Sequence, residues 1–577
     1  MLFKDVGHYF SQIDATSSRL EITKLLAELL GKATAAQAAI ICNLSLGQLN
    51  PPYIGTQFNI AEKSMLKIIT DVLDVSTSTV TERAKKLGDL GLVIEEGTWR
   101  PTNSLTIHEV NKKLHEIEQI SGVGSQDDKI EAMFKLIKAL DHTSAKYVVR
   151  IVLGKLRMGF SDMTIIDALS WMEAGNKSLK TPIETAYNLC ADIGVIASTL
   201  KEDGIKGIEK MRIHVSIPIR PEAAERLPTA KAVIEKLGTC VAQPKLDGFR
   251  LQIHIDNTRK TPKIHFFSRN LQDMSAMFPD IADAAKSINV DTIICEGEAI
   301  GYDVETDTFA PFQETIKRKR KHGIEEMVSE LPMKVFLFDL MYVNGVDYLD
   351  KSHEERRKKL LQIFNNHGDT AIQVIPEKIM HTAKELEEYL AENIASGLEG
   401  LVVKKPDAIY QAGTRNFNWI KLKRAQMGHL EDTVDCVVLG YYAGSGKRAH
   451  FGIGAFLVGV YDSKKDCFET IAKVGTGLKD ADWKEIKKRC DAYKVIKQPK
   501  NVICAQALVP TVWTSPDIVV QIKADEITQS PVHAAGRTQD KLGYALRFPR
   551  FISYREDKSP EEATSVREII EMYKDQF

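Results

Sequence analysis

Hydrophobic periodicity changes character once along this chain, near Pro218, and no single uniform architecture can satisfy both halves. Up to about residue 215 the apolar positions recur at helical spacing. EITKLLAELL carries Leu26, Leu29 and Leu30 on one face. KIEAMFKLIKAL sets Ile130, Met133, Phe134 and Ile137 at i, i+3, i+4 and i+7, with lysines on the other faces. A helical bundle burying these stripes is expected. Beyond Pro218 the segments shorten and alternate. In FRLQIHID, Phe249, Leu251, Ile253 and Ile255 interleave with Arg250, Gln252, His254 and Asp256, which predicts a half-buried strand. NTRKTPK turns the chain and IHFFS returns it. DTIICEGEAI, MKVFLFDLMYV and EGLVVK read as further strands. Between the last two, Thr382 and Glu385 form a capping box, Leu386, Leu390 and Ile394 form the stripe, and Gly397 ends the helix. This middle part is α+β. From about 425 to 558 the strands are short and glycine-rich, as in DCVVLGYYAGSGK, GIGAFLVGVYD, ETIAKVGTG and IVVQIKA, and a small β-barrel is expected. A last helix is marked by Ser559, Pro560 and Glu562, with Val566, Ile569, Ile570 and Tyr573 as its apolar face. That face is expected to dock on the middle domain.

At 577 residues the chain exceeds one ordinary domain, and 44% hydrophobic with 27% charged residues excludes a wholly disordered protein. With 77 Lys and Arg against 78 Asp and Glu, a uniformly basic nucleic-acid binder is excluded, although a local basic surface is not. No apolar stretch approaches the roughly 18 residues of a membrane span. The start, MLFKDVGHYFSQID, lacks a signal-peptide core, and the 8 cysteines are scattered without a CxxC pair. A reducing, cytoplasmic compartment and no membrane partner are expected.

Lys245, in QPKLDGFR, is the first candidate for chemistry. Lysine is a nucleophile only when neutral. At its ordinary pKa of ~10.4 about one molecule in 2500 is neutral at pH 7, a deficit of roughly 4.6 kcal/mol. A low-dielectric pocket or neighbouring cations remove much of it. Gly248 would let backbone approach a ligand closely. Charged residues also mark the ends of other strands: Ser268-Arg269-Asn270 after the return strand, Glu296 and Glu298 on one face of CEGEAI, Asp339 after Phe338, Glu399 and Lys404 around EGLVVK, and Lys421 and Lys423 on one face of WIKLK. Each alone reads as a solvated strand face. Together they read as a pocket whose cations meet phosphate oxygens, whose carboxylates hold Mg2+ and whose aromatic ring stacks on a base. The tail string RFPRFISYREDK adds Arg547, Arg550, Arg555, Asp557 and Lys558, with forks suited to phosphate. KRKRKH (Lys317 to His322) is a basic run, either a solvated loop or a backbone contact for nucleic acid. Gly444-Ser445-Gly446-Lys447 fails as a P-loop, because Tyr441 stands where a glycine is needed and Arg448 where Ser or Thr is needed, and it reads as a hairpin turn.

KLDGFR, SRN, EGEA, FDLMYVNG, EGLVVKK, WIKLK and RFPRF…REDK occur in that order. The series resembles the ATP-dependent DNA ligase family of covalent nucleotidyltransferases, archaeal replicative type. SGVGSQDDK and YVVRIVLGKLRMG resemble that family's DNA-binding domain, so the likeness covers essentially the whole chain. It implies an all-α DNA-binding domain over 1–216, an adenylation domain with antiparallel sheets over 217–424 and an OB-fold barrel with a terminal helix over 425–577. It implies that Lys245 attacks the α-phosphate of ATP to form lysyl-AMP. Phe338 would stack on adenine, Arg269 and Glu298 would hold the ribose, and Glu399 would place Mg2+. Lys421 and Lys423 would bind the α-phosphate, and Arg250 and Arg415 would serve other phosphates. Arg547, Arg550, Arg555 and Lys558 would orient pyrophosphate. The implied partner is nicked duplex DNA, gripped by a monomer largely through its backbone, in replication, repair and recombination. AMP would pass to the 5′-phosphate of the nick before the 3′-hydroxyl seals it.

Two departures stand out. Gln243 occupies the position where archaeal relatives usually show Glu, and its amide would meet adenine with a donor and an acceptor. The resemblance also admits a sliding clamp, but the usual Gln…Phe-Phe segment is not seen in GTWRPTNSLTIHEV. Two alternatives remain at this stage. One is an RNA ligase or capping-type nucleotidyltransferase. The other is a non-catalytic DNA-binding regulator built on Ser76 to Glu96, where STSTVTERAKKLGDLGLVIEE reads either as a packed helix pair or as a helix-turn-helix.

Overall fold

In a computed structural model, the structure describes all residues except 123, 157, 304–307, 310–314, 316–317, 319–327, 329–330, 365–370, 397, 424–432, 445 and 577. The chain forms two compact units, Met1–Ile68 with Trp99–Ala425, and Ile69–Thr98 with Gln426–Phe577.

The first unit begins as helices. Phe3–Ala15 buries Phe3, Val6, Phe10 and Ile13, and Arg19–Lys32 buries Leu26, Leu29 and Leu30. Capping boxes fix several starts, among them Thr34 with Gln37 and Thr106 with Glu109. The stripe expected in Ser125–Ala139 shifts slightly: Met133, Leu136 and Ile137 are buried, whereas Ile130 and Phe134 are half-buried. Lys129 is buried too, because its ammonium donates to the Phe58 carbonyl at 2.9 Å, so not every lysine of this helix faces solvent.

After the helix Ile193–Glu209 the chain turns to strands. These are β1 (Ala223–Arg226), β2 (Cys240–Lys245), β3 (Phe249–Asp256), β4 (Lys263–Ser268), β5 (Thr292–Asp303), β6 (Thr308–Phe309), β7 (Met333–Val343), β8 (Val346–Asp347), β9 (Ile372–Val374), β10 (Lys378–Met380), β11 (Gly400–Lys404) and β12 (Arg415–Lys423). A five-stranded sheet runs β1-β12-β11-β2-β10. A seven-stranded sheet runs β4-β3-β5-β7-β8, with β6 beside β5 and β9 beside β7. Most ladders are antiparallel, and β1–β12 and β7–β9 are parallel. The helix Ala383–Ala395 starts at the expected Thr382/Glu385 box and packs Leu386 against the five-stranded sheet, while Gly397 lies outside the described residues.

Strand β3 corrects the half-buried expectation. Its apolar face enters the core of the seven-stranded sheet, but Gln252 and His254 are buried as well. Residues 216–219 cover them: the Ser216 amide donates to His254 Nδ1 at 3.0 Å, and Gln252 exchanges bonds of 2.8 and 2.9 Å with the Ile219 amide and carbonyl. Burial pushes the His254 pKa down to about 3.

The second unit pairs the helices Thr77–Leu87 and Leu90–Glu95 with a curled β-sheet consistent with an OB-fold. Ser76 caps the first helix, and Gly88 ends it in the left-handed region at φ 69°, where its Cβ position lies 2.7 Å from the Ala449 side chain. The strands are β13 (Val434–Tyr442), β14 (Ala455–Asp462), β15 (Cys467–Val474), β16 (Lys494–Val495), β17 (Val502–Ile503), β18 (Val512–Thr514), β19 (Val519–Lys523), β20 (Glu526–Ser530), β21 (Gly543–Arg547) and β22 (Arg550–Tyr554). The main sheet is eight-stranded, with β19 bridging β13 and β22, and β20–β21 form a separate hairpin.

Two expectations change here. The segment after β13 is not a tight hairpin turn: β13 and β14 are joined across residues 443–454 by a connection containing the 3-10 helix Gly446–Phe451. The last helix is Val566–Asp575, started by its own Ser565/Glu568 box, and Ser559, Pro560 and Glu562 form only a short 3-10 turn before it. Its apolar face belongs to the barrel core, with Val566 and Ile569 buried beside Val458 and Val460. The eight cysteines are free, all but Cys504 buried, and no helix among the described residues is long and apolar enough to cross a membrane.

Candidate active site

The two sheets of the first unit face each other across a cleft of about 460 Å³. Strand β2 supplies Gln243 and Lys245, which share a face because side chains alternate. Lys245 ends this strand. The ladder to β11 sets Lys245 opposite Gly400 and Gln243 opposite Val402. Glu399 is thereby brought to the lysine twice: its backbone amide donates to the Lys245 carbonyl at 3.0 Å, and its carboxylate accepts from the Lys245 ammonium. The lysine side chain is 23% exposed, so its amine sits in the cleft and not in bulk water.

Facing residues come from the other sheet. Arg250 of β3 stands opposite Glu298 of β5, and both line the cleft with Phe338 of β7. Arg269 projects from the turn after β4, where Leu271 adopts φ 61°. Lys421 of β12 completes the lining. Seven expected site residues thus converge here: Gln243, Lys245, Arg250, Arg269, Glu298, Phe338 and Lys421. Arg415 opens β12 opposite Ala223, exposed and outside the cleft lining. Lys423 pairs through its backbone with Gly400, and its side chain lies outside the described residues.

Burial raises the Glu298 pKa from 4.5 to about 7, against the opposing pull of Lys245, Arg250 and the Gly248 amide. That amide donates to Glu298 Oε1 at 3.2 Å. Gly248 earns its place through crowding between strands, because a Cβ there would stand 2.3 Å from the Ala299 carbonyl oxygen. Arg250 is held by Glu296 at 2.8 Å, and the Tyr410 hydroxyl donates to the same carboxylate oxygen at 2.9 Å. Glu296 therefore supports the cleft wall from behind, although it alternates with Glu298 on one strand face. The guanidinium carbon lies 5.4 Å from the Phe338 ring centre and 5.5 Å from that of Trp419.

Behind the cleft the expected strand-end charges Lys404 and Asp339 meet Arg356, and Glu377 meets His353; Arg356, Glu377 and His353 had no local signal. Lys404 is fully buried, donating to the Phe338 carbonyl at 2.8 Å and lying 3.3 Å from Asp339, which also accepts from Arg356 at 2.6 Å. Burial alone would push the Asp339 carboxyl up, but Arg356 and Lys404 hold it well below the usual carboxylate range. Glu377 accepts from Gln243 and contacts His353. Trp419 was within reach of sequence reasoning, since it alternates onto the face of Lys421 in NWIKLK.

The tail residues belong to the second unit, and there each is paired with an acid. Arg547 meets Glu526 at 3.2 Å, Arg550 meets Asp525, and Arg555 and Lys558 share Asp435 at 2.8 and 2.7 Å. Arg555 also pairs with Asp557 at 2.8 Å. Of the basic run, Arg318 is buried and bonded to Asp280 at 2.7 Å and to the Met277 carbonyl at 3.0 Å, so this residue is a structural anchor and not a solvated contact. The side chains of Lys317 and of residues 319–322 lie outside the described residues.

Family models described as DNA ligase N terminus, ATP dependent DNA ligase domain and ATP dependent DNA ligase C terminal region match residues 2–170, 221–423 and 449–558. A probable DNA ligase of Dictyoglomus turgidum is 44% identical over 578 residues, covering 100% of this chain and 98% of that one. A DNA ligase of Sulfolobus acidocaldarius is 37% identical, covering 99% and 98%. A solved structure named Pmar-Lig_PreS3 shares the fold with a TM-score of 0.55 at 18% identity, covering 95% of this chain and 99% of that one.

Proposed function

Because the chain belongs to the ATP-dependent DNA ligase family, we propose that this cleft performs the first step of nick sealing, with Lys245 as the attacking amine. The enzyme uses ATP to join nicked duplex DNA, as its family does. The observation that carries the assignment is the convergence of Lys245 with Arg269, Glu298, Phe338 and Lys421 in one cleft.

Lys245 Nζ attacks the α-phosphorus of ATP, a phosphorus–nitrogen bond forms, and pyrophosphate leaves. The amine must first shed a proton, and the Glu399 carboxylate is an acceptor already in hydrogen-bond contact with it. Phe338 offers its ring to adenine, with its backbone carbonyl held by Lys404 at 2.8 Å, and Arg250 beside it serves a phosphate. Arg269 and Glu298 serve the ribose. Lys421, with Lys423 and Arg415 on the same strand, serves the phosphates. AMP then passes to the 5′-phosphate of the nick, and the 3′-hydroxyl displaces it. Each step is an in-line displacement at phosphorus, so positioning and charge neutralisation supply most of the catalysis.

Mg2+ fits the residues present. It binds through one or two carboxylates with phosphate oxygens and water completing its shell. Glu399 and Glu298 flank Lys245, while no group of three metal-ligating side chains occurs among the described residues. Bound there, Mg2+ would neutralise charge on the phosphoryl oxygens. Arg547, Arg550, Arg555 and Lys558 would orient pyrophosphate after exchanging their carboxylate partners for phosphate oxygens. We assign the adenylating role to 217–424, with DNA grip by 1–216 and by the barrel of 425–577, in an intracellular monomer.

Full-length protein incubated with α-labelled ATP and Mg2+ is expected to acquire label and to lose it on addition of nicked duplex as sealed product appears. Lys245→Ala should acquire none. A labelled Lys245→Ala protein would refute the assignment.

A further inference from the structure

Gln243 lines the cleft on the Lys245 side of β2, with its side chain almost wholly buried. Its amide nitrogen donates to Glu377 Oε2 at 2.7 Å. A carboxylate only accepts, so turning the amide round would set two oxygens against each other. Glu377 is itself held in place. His353 Nε2 lies 2.8 Å from the same oxygen, and Arg357 Nε lies 3.7 Å from the other. Burial pushes the Glu377 carboxyl up, but the His353 hydrogen bond, followed by Arg357 and Lys404, holds it below its ordinary range and keeps it charged. Among the described residues nothing donates to Gln243 Oε1.

We propose that Glu377, which touches no substrate, sets nucleotide choice: it locks the Gln243 amide with its carbonyl toward the cleft, making the base site an acceptor. A purine with a 6-amino group donates to that oxygen. A 6-oxo purine, such as guanine or hypoxanthine, presents a second acceptor and leaves both oxygens unpaired. Glu377 is thus a positioning residue acting through Gln243. The inference rests on the adenylating reading of this cleft.

The test compares covalent labelling of Lys245 by ATP, GTP and ITP in the full-length wild type, in Glu377→Gln and in Gln243→Met. A Gln at 377 can meet Gln243 through either its oxygen or its nitrogen, so both amide orientations become satisfied. The ATP-over-GTP ratio of kcat/KM is expected to fall about tenfold in Glu377→Gln, mostly through the KM values, and to fall likewise in Gln243→Met. A wild-type ratio in a Glu377→Gln protein that still labels and melts normally would overturn the proposal. Absence of any label in the wild type would instead sink the adenylating reading beneath it. The ratio is informative because a merely loosened fold would slow both nucleotides alike.

Discussion

The cleft and the tail string are both rich in cations, yet they are built differently. In the cleft, ladder registers set Arg250 opposite Glu298 on one sheet and Lys245 beside Glu399 on the other, and the two sheets face each other. In the tail, Arg547 and Arg550 flank the short connection between β21 and β22, exposed and paired with acids of the same unit. Buried charges in the cleft are bound into the packing, whereas tail charges can exchange partners at small cost. The contrast separates residues that define a site from residues that visit one.

The sharpest way to break this contrast is to remove a charge from behind the cleft. Asp339→Asn leaves Arg356 and Lys404 buried without their counter-ion, and a loss of about 3–5 kcal/mol is expected in urea unfolding. A loss under about 1 kcal/mol would show that the cluster is not integral to the wall.

A smaller effect is expected at Glu298. Its folded pKa of about 7 exceeds its ordinary 4.5, so the folded state holds the proton more tightly. Stability from this group is full below 4.5 and is lost as pH rises through 7. Glu298→Gln should therefore gain in Tm relative to wild type between pH 5 and pH 8, even as labelling declines. A Tm difference that stays constant with pH would contradict this.

The smallest stability change belongs to the tail. Arg547→Ala removes a half-exposed pair and should shift unfolding by less than about 1 kcal/mol, while the labelling rate falls. Unchanged labelling would remove Arg547 from the chemistry.

Much of this was readable from residue order. The Thr382/Glu385 box, the helical stripes and the strands carrying Glu298 and Phe338 all rest on local spacing, whereas β2, which ends at Lys245, is not among the expected strands. What escaped depends on distant partners. Glu377 lies 134 residues from Gln243, and no pattern in VIPEKIM announces the contact. The polar face of β3 looked solvated because only the folded chain brings Ser216 and Ile219 over it. The last helix began six residues later than expected, since two capping boxes, at Ser559 and Ser565, compete in one short stretch.

The tie between Glu399 and Lys245 has a consequence for how this protein tolerates change. Acid and amine sit on adjacent rungs, fastened by main-chain bonds and not by the connecting segments. Insertions or deletions in the surface connections can accumulate while the separation of the reacting pair stays fixed, so the chemistry is insulated from drift elsewhere in the chain.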